Sequence, residues 1–229
     1  MIAVAQARPS ERAEFIRKTY QHLAGAVGAF IVLEYLLLQS GLAAAIFNLV
    51  AASRFSWLLV LGGFALLGWM SRGMAAKAND TRAQYIGLGL YVVAEALIFA
   101  PLIYIAATFS DPTVIPTAGI LTSLMFAGLT AVAFTTKKDF SFLGSILKVS
   151  GFVALGLIIC STIFGFTLGL VFSVAMVAFA SAAILYDTSK VIHNYAAHQY
   201  VAASLELFAS VALLFWYVLR IVMALSSRR

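Results

Sequence analysis

Two acidic residues in the C-terminal part of the chain, Asp187 and Glu206, form the pair best suited to chemistry. Asp187 follows one long apolar run and Glu206 lies about two helical turns into the next, so both carboxyls are expected at similar depth on sequential helices. Carboxylates at close range repel and share a proton. Such a pair could hold a proton or a transient Ca²⁺ ion, which prefers oxygen ligands. The alternative is that Asp187 is a solvated helix end, or pairs with Arg72.

Three further charged residues lie inside apolar runs, where an ionised group costs roughly 2.5–3.5 kcal/mol. Glu95 is central in its run, six residues before the helix-bending Pro101, which favours a cavity-lining proton or cation site; a neutral structural role is the alternative. Glu34 and Arg220 are expected at comparable depth in the first and last runs. The simplest interpretation is that Glu34 and Arg220 form a structural ion pair.

Polar residues recur at helical spacing on the last two runs and predict two facing stripes. The stripes suit a narrow, partly dry ion pathway with Tyr217 and Ser181 in its lining; hydrogen bonding between helices by the serines is an equal alternative. The members are Glu206, Ser210, Leu213, Tyr217 and Arg220 on the last run, and Ser173, Val177, Ser181, Ile184 and Asp187 or Thr188 on the run before it.

The composition excludes a soluble protein. Of 229 residues 63% are hydrophobic and 10% are charged, against about 25% charged in an average soluble domain. The net charge of +6 does not indicate nucleic acid, because the Lys and Arg residues lie in short tracts between apolar runs. No metal-protease motif, phosphate loop or nucleophile–base set is present, so neither an enzyme nor a bound cofactor is expected. The prediction is an all-α, polytopic protein whose main partner is the lipid bilayer.

Seven apolar runs are long enough to cross a membrane, and they predict the organisation of the chain. We expect an N-terminal tail at 1–19, one transmembrane domain at 20–225 and a short tail at 226–229. The stretch 41–53 is mildly apolar and is expected to lie along the surface. Runs five and six are separated only by residues 165–167, and one long kinked hairpin is the alternative there. The seven runs are 20–39, 55–74, 83–108, 114–134, 146–164, 167–186 and 200–225.

The distribution of Lys and Arg predicts the orientation. The N-terminal tail and alternate loops carry most of the basic residues, Lys137 among them, whereas the opposite loops carry only Arg54. The N-terminus is therefore expected in the cytoplasm and the C-terminus outside, although Arg228 and Arg229 run against this. The short tails favour a bacterial inner (plasma) membrane.

Four sequence segments, in this order and spacing along almost the whole chain, resemble the Bax inhibitor-1 family of small membrane proteins, also called the transmembrane BAX inhibitor motif family. No single segment is very specific, and the combination with seven spans carries the resemblance. The segments are FIRKTY at 15–20, TTKKDFS at 135–141, LYDTSK at 185–190 and LLFWYVLR at 213–220.

This resemblance implies a seven-helix fold in which helix seven is surrounded by the other six. It also implies a pH-sensitive Ca²⁺ leak gated by two aspartates on helices six and seven. Asp187 matches the first aspartate and Arg72 matches a basic residue that can pair with it, but Ser210 stands where the second aspartate is expected. Either Glu206, one turn earlier, replaces the missing aspartate, or the chain lacks a two-carboxyl latch.

The functional expectation is a Ca²⁺ or cation leak in which protons bias a gate centred on Asp187. The alternative is a membrane interaction protein that modulates a membrane protease or a stress or cell-death pathway, with the basic tail 1–19 as its handle. A proton-coupled transporter that uses Glu95 is a third hypothesis.

Overall fold

The computed structural model describes residues 8–53, 55–77, 80–136 and 138–227. The described residues fold into eight α-helices, and seven of these are long and apolar enough to cross a membrane. The helices are α1 (Pro9–Gln39), α2 (Leu42–Ala51), α3 (Ser56–Ala75), α4 (Thr81–Phe109), α5 (Val114–Thr136), α6 (Leu143–Phe164), α7 (Leu170–His193) and α8 (Tyr200–Ser226). The prediction of an all-α protein with seven spans is confirmed, and the spans are α1 and α3 to α8.

The stretch expected along the surface forms α2, which has ten residues and is about 15 Å long, too short to span. It packs against α4 and α1, and Ala43 is fully buried there. Spans five and six are separate helices, because Gly165 adopts a positive φ of 75° that ends α6.

Two predicted boundaries are wrong. The first helix begins at Pro9 rather than at residue 20, because proline suits the first helical turn and because Phe15 and Thr19 are buried among the other helices. The sixth span continues to His193, so Asp187 lies within α7 and is not a solvated helix end. Residues 1–7 of the expected tail lie outside the described part of the chain.

Helix α8 lies at the centre of the bundle, as the resemblance implied for helix seven. It packs against α1, α3, α4, α5 and α7, and its Val201, Leu207, Leu214 and Leu219 are fully buried. Helix α6 packs mainly against α7 and presents most of its surface outward. The bundle is therefore tightly filled on the α1, α4 and α5 side of α8 and looser on the α6 side.

Close packing of α3 against α4 depends on Gly87. A Cβ atom added there would lie 2.6 Å from the backbone oxygen of Ser71 and 3.0 Å from the nitrogen of Ala75. The missing side chain therefore lets the two helix backbones touch. One turn further along α4, Tyr91 lies beneath Arg72 of α3, with 5.6 Å between the guanidinium carbon and the ring centroid.

We call the end of the bundle that contains the loops 76–80, 138–142 and 194–199 the base, and the end that contains the loop 165–169 the top. At the base, Asp80 caps α4 by accepting a hydrogen bond from the Ala83 amide at 2.9 Å. The Phe140 amide donates to Ser189 Oγ of α7 at 3.0 Å. Arg54, Lys137, Arg228 and Arg229, which entered the orientation argument, lie outside the described residues.

Candidate functional site

The central contact of the site joins α7 to α8. The Ser210 hydroxyl donates a hydrogen bond to Oδ2 of Asp187, and both side chains are buried, with 7% and 8% of their surface exposed. The two helices are sequential, antiparallel and packed along their length, which brings these positions to the same depth. Such a partner lowers the cost of a carboxylate inside a span.

Glu206 does not bond to Asp187. It is half-buried one turn nearer the base, about 6 Å along the α8 axis from Ser210, and it interacts with Asp187 and Arg72 electrostatically. The hydrogen-bonded α8 partner of Asp187 is Ser210, and the sharing of a proton between Asp187 and Glu206 stays a prediction.

Arg72 also lacks the direct ion pair with Asp187 that the resemblance implied. Its guanidinium stays over the Tyr91 ring and interacts electrostatically with Glu95, Asp187 and Glu206. The bonded partner of Asp187 is the nearer Ser210 hydroxyl. Arg72 thus attracts three carboxyls electrostatically and forms an ion pair with none of them.

A cavity of about 670 Å³ extends from this contact toward the top of the bundle. It lies between α3, α4, α6, α7 and α8, and the residues 167 and 168 of the top loop complete it. Its walls are mostly aromatic and aliphatic, and a few polar groups are spaced along its length. The chief polar lining residues are Arg72, Tyr91, Glu95, Ser210, Tyr217 and Arg220.

Glu95 lies in the wall of this cavity and is 5% exposed. Tyr91, one turn earlier on α4, interacts with the Glu95 carboxyl through its hydroxyl. Pro101 is inside α4 without ending it, since the helix runs unbroken to Phe109. The arrangement places one carboxyl at mid-depth in the cavity with a phenol and, further away, a guanidinium near it.

Two predicted roles are corrected by the structure. Ser181 does not line the cavity; its hydroxyl donates to the Val177 carbonyl of its own helix at 2.8 Å. The Glu34–Arg220 ion pair does not form, since both Glu34 oxygens are buried without a hydrogen-bond partner among the described residues. The physical reason is that Glu34 lies on α1, on the filled side of α8, whereas Arg220 lines the cavity on the other side.

Tyr91 was not singled out from the sequence, although its spacing of four residues from Glu95 places the two on one helix face. The aromatic lining by Trp57 and Trp216 could not be predicted from the sequence, because apolar residues are common throughout every span.

Within the described ranges no group of three or more His, Cys, Asp or Glu side chains could hold a metal ion. Asp187 and Glu206 would therefore supply only a minority of the six to eight oxygens that Ca²⁺ takes.

Seven apolar helices with α8 at their centre, and charged groups that line a cavity between them, define a polytopic integral membrane protein. The chain matches the family described as Inhibitor of apoptosis-promoting Bax1 over residues 12–228. It therefore belongs to the Bax inhibitor-1 family.

Relatives from a bacterium, a yeast and a virus agree with this assignment. An uncharacterized protein of Pseudomonas aeruginosa is 40% identical over 110 residues, which are 48% of this chain and 49% of that relative. The protein named Bax inhibitor 1 of Schizosaccharomyces pombe is 31% identical over 228 residues, which cover 95% of this chain and 79% of the relative. The Golgi anti-apoptotic protein of Vaccinia virus (strain Lister) is 32% identical over 136 residues, 57% of this chain and 54% of that protein. The matches thus span about half the length of the Pseudomonas and Vaccinia relatives.

Proposed function

We propose that the protein is a pH-sensitive cation leak that conducts Ca²⁺ through the cavity, with the Asp187–Ser210 contact as its gate. The observation that carries the proposal is the position of this contact, because it joins α7 to α8 where the cavity ends near the base. Water and a cation entering the cavity would meet Glu95 at mid-depth and then this closed end.

Protonation supplies the pH dependence. An ionised Asp187 accepts a charge-assisted hydrogen bond from Ser210, which is about twice as strong as one between neutral groups. A proton on Asp187 also removes its attraction to Arg72 on α3. Acidification therefore loosens α7 from both α8 and α3, and the cation flux rises as the pH falls.

The base faces the cytoplasm in this proposal, with the protein in a bacterial inner membrane. The support is the excess of basic residues at that end of the described helices. These include Arg12, Arg17, Lys18, Lys77, Arg82, Lys138 and Lys190.

Calcium flux into proteoliposomes across a pH series tests the proposal. Asp187→Asn mimics the protonated carboxyl, so we expect high flux at neutral pH and little further rise on acidification. Asp111→Asn is the control, because Asp111 is exposed in the loop between α4 and α5 and does not line the cavity. Equal pH profiles for wild type and Asp187→Asn would rule out this gate.

A second candidate, interaction with a membrane protease, is favoured by the basic residues on the first turns of α1, of which Arg17 is exposed and Arg12 is half-buried. Phe15 and Thr19 are buried in the bundle, so deletion of residues 1–19 would damage the fold as well as remove the proposed binding surface. The sharper test is the double variant Arg12→Gln and Arg17→Gln, scored by co-purification with a membrane protease. Loss of capture with an intact fold would support this role, and unchanged capture would argue against it.

A further inference from the structure

Arg220 is a charged residue inside a span for which the structure provides no counter-ion. All nine acidic residues of the chain are among the described residues, and none forms an ion pair with it. Its recorded contact is with the ring of Tyr217, 6.0 Å from the guanidinium carbon to the ring centroid. An unpaired cation in a span that lines a cavity attracts an anion from outside the protein.

Arg220 lies at the depth expected for a lipid headgroup. It is six residues before the end of α8, about 9 Å along the helix axis. Trp57 and Trp216 line the cavity near it, stacked with ring centroids 5.9 Å apart, and tryptophan is enriched at membrane–water interfaces. Thr167 of the top loop adds a hydroxyl at the same end.

Below this level the walls that α3 and α6 contribute are mainly apolar. They carry Leu61 and Phe64 on α3, and Leu155 and Ile158 on α6. In the described part of the chain α3 packs with α2, α4 and α8 and α6 packs with α7, so these two walls are not closed against each other. A volume of about 670 Å³ is within the range of sites that enclose a small amphiphile.

We propose that the cavity binds one anionic phospholipid, whose phosphate contacts Arg220 and whose acyl chain enters between α3 and α6. A guanidinium binds phosphate through paired hydrogen bonds, and the apolar walls remove the chain from competing water. This inference does not rest on the leak activity, because lipid binding is measured without ion flux.

Tryptophan quenching by lipids with brominated acyl chains tests the site directly. The full chain carries Trp69→Phe, since Trp69 is 74% exposed and would report lipid at the outer surface. The remaining Trp57 and Trp216 both line the cavity. Brominated phosphatidylglycerol is compared with brominated phosphatidylcholine of the same chains in detergent micelles.

We expect phosphatidylglycerol to bind about tenfold more tightly than phosphatidylcholine, which is the strength of one charge-assisted contact. Arg220→Gln should abolish this preference, Arg220→Lys should retain part of it, and the control Arg82→Gln at the exposed base should retain it fully. Gly151→Leu should weaken binding of both lipids by filling the cavity. Its Cβ meets only the Phe179 ring, at 3.7 Å, so the helix tolerates it.

Equal affinity of the wild-type chain for the two lipids would overturn the proposal, whatever the variants do. Equal loss of preference in Arg220→Gln and Arg82→Gln would also overturn it, because the lipid would then be a general surface layer. Displacement by soluble glycerol phosphate at the same concentration would show a phosphate site rather than a lipid site.

Discussion

The Ser210 hydroxyl on α8 donates a hydrogen bond to the Asp187 carboxylate on α7, at the end of the cavity nearest the base. The resemblance to the family implied a second aspartate at this α8 position, and this chain has a hydroxyl donor there instead. A hydroxyl can bond to an ionised Asp187, whereas a second ionised carboxyl would repel it. The contact in this chain is therefore strongest where Asp187 is charged.

Removing the donor should weaken the bundle at this point. Ser210→Ala leaves a buried carboxylate without its bonded partner, and we expect the free energy of unfolding to fall by about 1.5–3 kcal/mol. The matched control is Ser204→Ala on the same helix, because the buried Ser204 hydroxyl donates only to the Val201 carbonyl of its own helix, at 2.7 Å. Thermal unfolding in detergent measures both, and equal losses would contradict the special role of Ser210.

Restoring the second aspartate should create a pH-dependent stability. In Ser210→Asp the two carboxyls can share a proton at low pH, but both ionise at high pH and then repel. We expect the variant to approach wild-type stability in acid and to lose stability as the pH rises, the opposite of acid denaturation. A flat difference between variant and wild type across pH 5–9 (roughly the range where such pairs titrate) would contradict direct contact between these positions.

The α3–α4 contact that positions Arg72 should not tolerate a methyl group. Gly87→Ala places a Cβ 2.6 Å from the Ser71 backbone oxygen, so the helices must separate, at a cost of about 1–3 kcal/mol. Gly89→Ala, two residues away, meets nothing within 4 Å and should be neutral or stabilising. Unfolding in detergent distinguishes the two variants, and equal stability would mean that the backbones do not touch as described.

Glu34 should be dispensable for folding. It is 5% exposed and both of its oxygens lack a hydrogen-bond partner among the described residues, so Glu34→Met removes an unsatisfied polar group from an apolar site. We expect a gain of about 1–3 kcal/mol in the free energy of unfolding. A loss of stability would show that the carboxyl has a partner in the folded protein.

The hydrogen bond to Asp139 in the base loop should make the stability of the protein depend on pH in acid. The Ser141 amide donates to its carboxyl at 2.9 Å and holds the pKa of Asp139 below its ordinary value of 3.8. Because the folded-state pKa is lowered, the stabilisation is present above pH 3.8 and is lost as the pH falls through the lowered value. The free energy of unfolding of Asp139→Asn should therefore change less between pH 5 and pH 3 than that of the wild type. Identical pH dependence would contradict the bond.

The number of spans could be predicted from the sequence, because apolar length alone decides whether a helix crosses a bilayer. The central position of the last span was implied only by the family resemblance. The helix ends were less predictable. Polar residues after Pro9 and after Asp187 indicated loops, but tertiary burial of Phe15 and Ile192 extends both helices beyond the apolar runs.

The candidate residues named from the sequence lie near one another, and their functional role stays a prediction. Ser210, Arg72, Glu95 and Tyr217 line one cavity, and Asp187 bonds to Ser210 at its end. The depth of a residue in the membrane does not determine which residue it contacts, because residues at the same depth on α1 and α8 can face different sides of the bundle. Glu34 and Arg220 are separated in this way, and the cavity between α3 and α6 had no counterpart in the sequence pattern.

The most direct test of the gate is the calcium flux of Ser210→Ala in proteoliposomes at neutral pH, with Ser204→Ala as its control. Loss of the Asp187 contact should raise the flux at neutral pH toward the wild-type value in acid, and Ser204→Ala should behave as wild type. Wild-type flux in Ser210→Ala at every pH would contradict a gate at this contact.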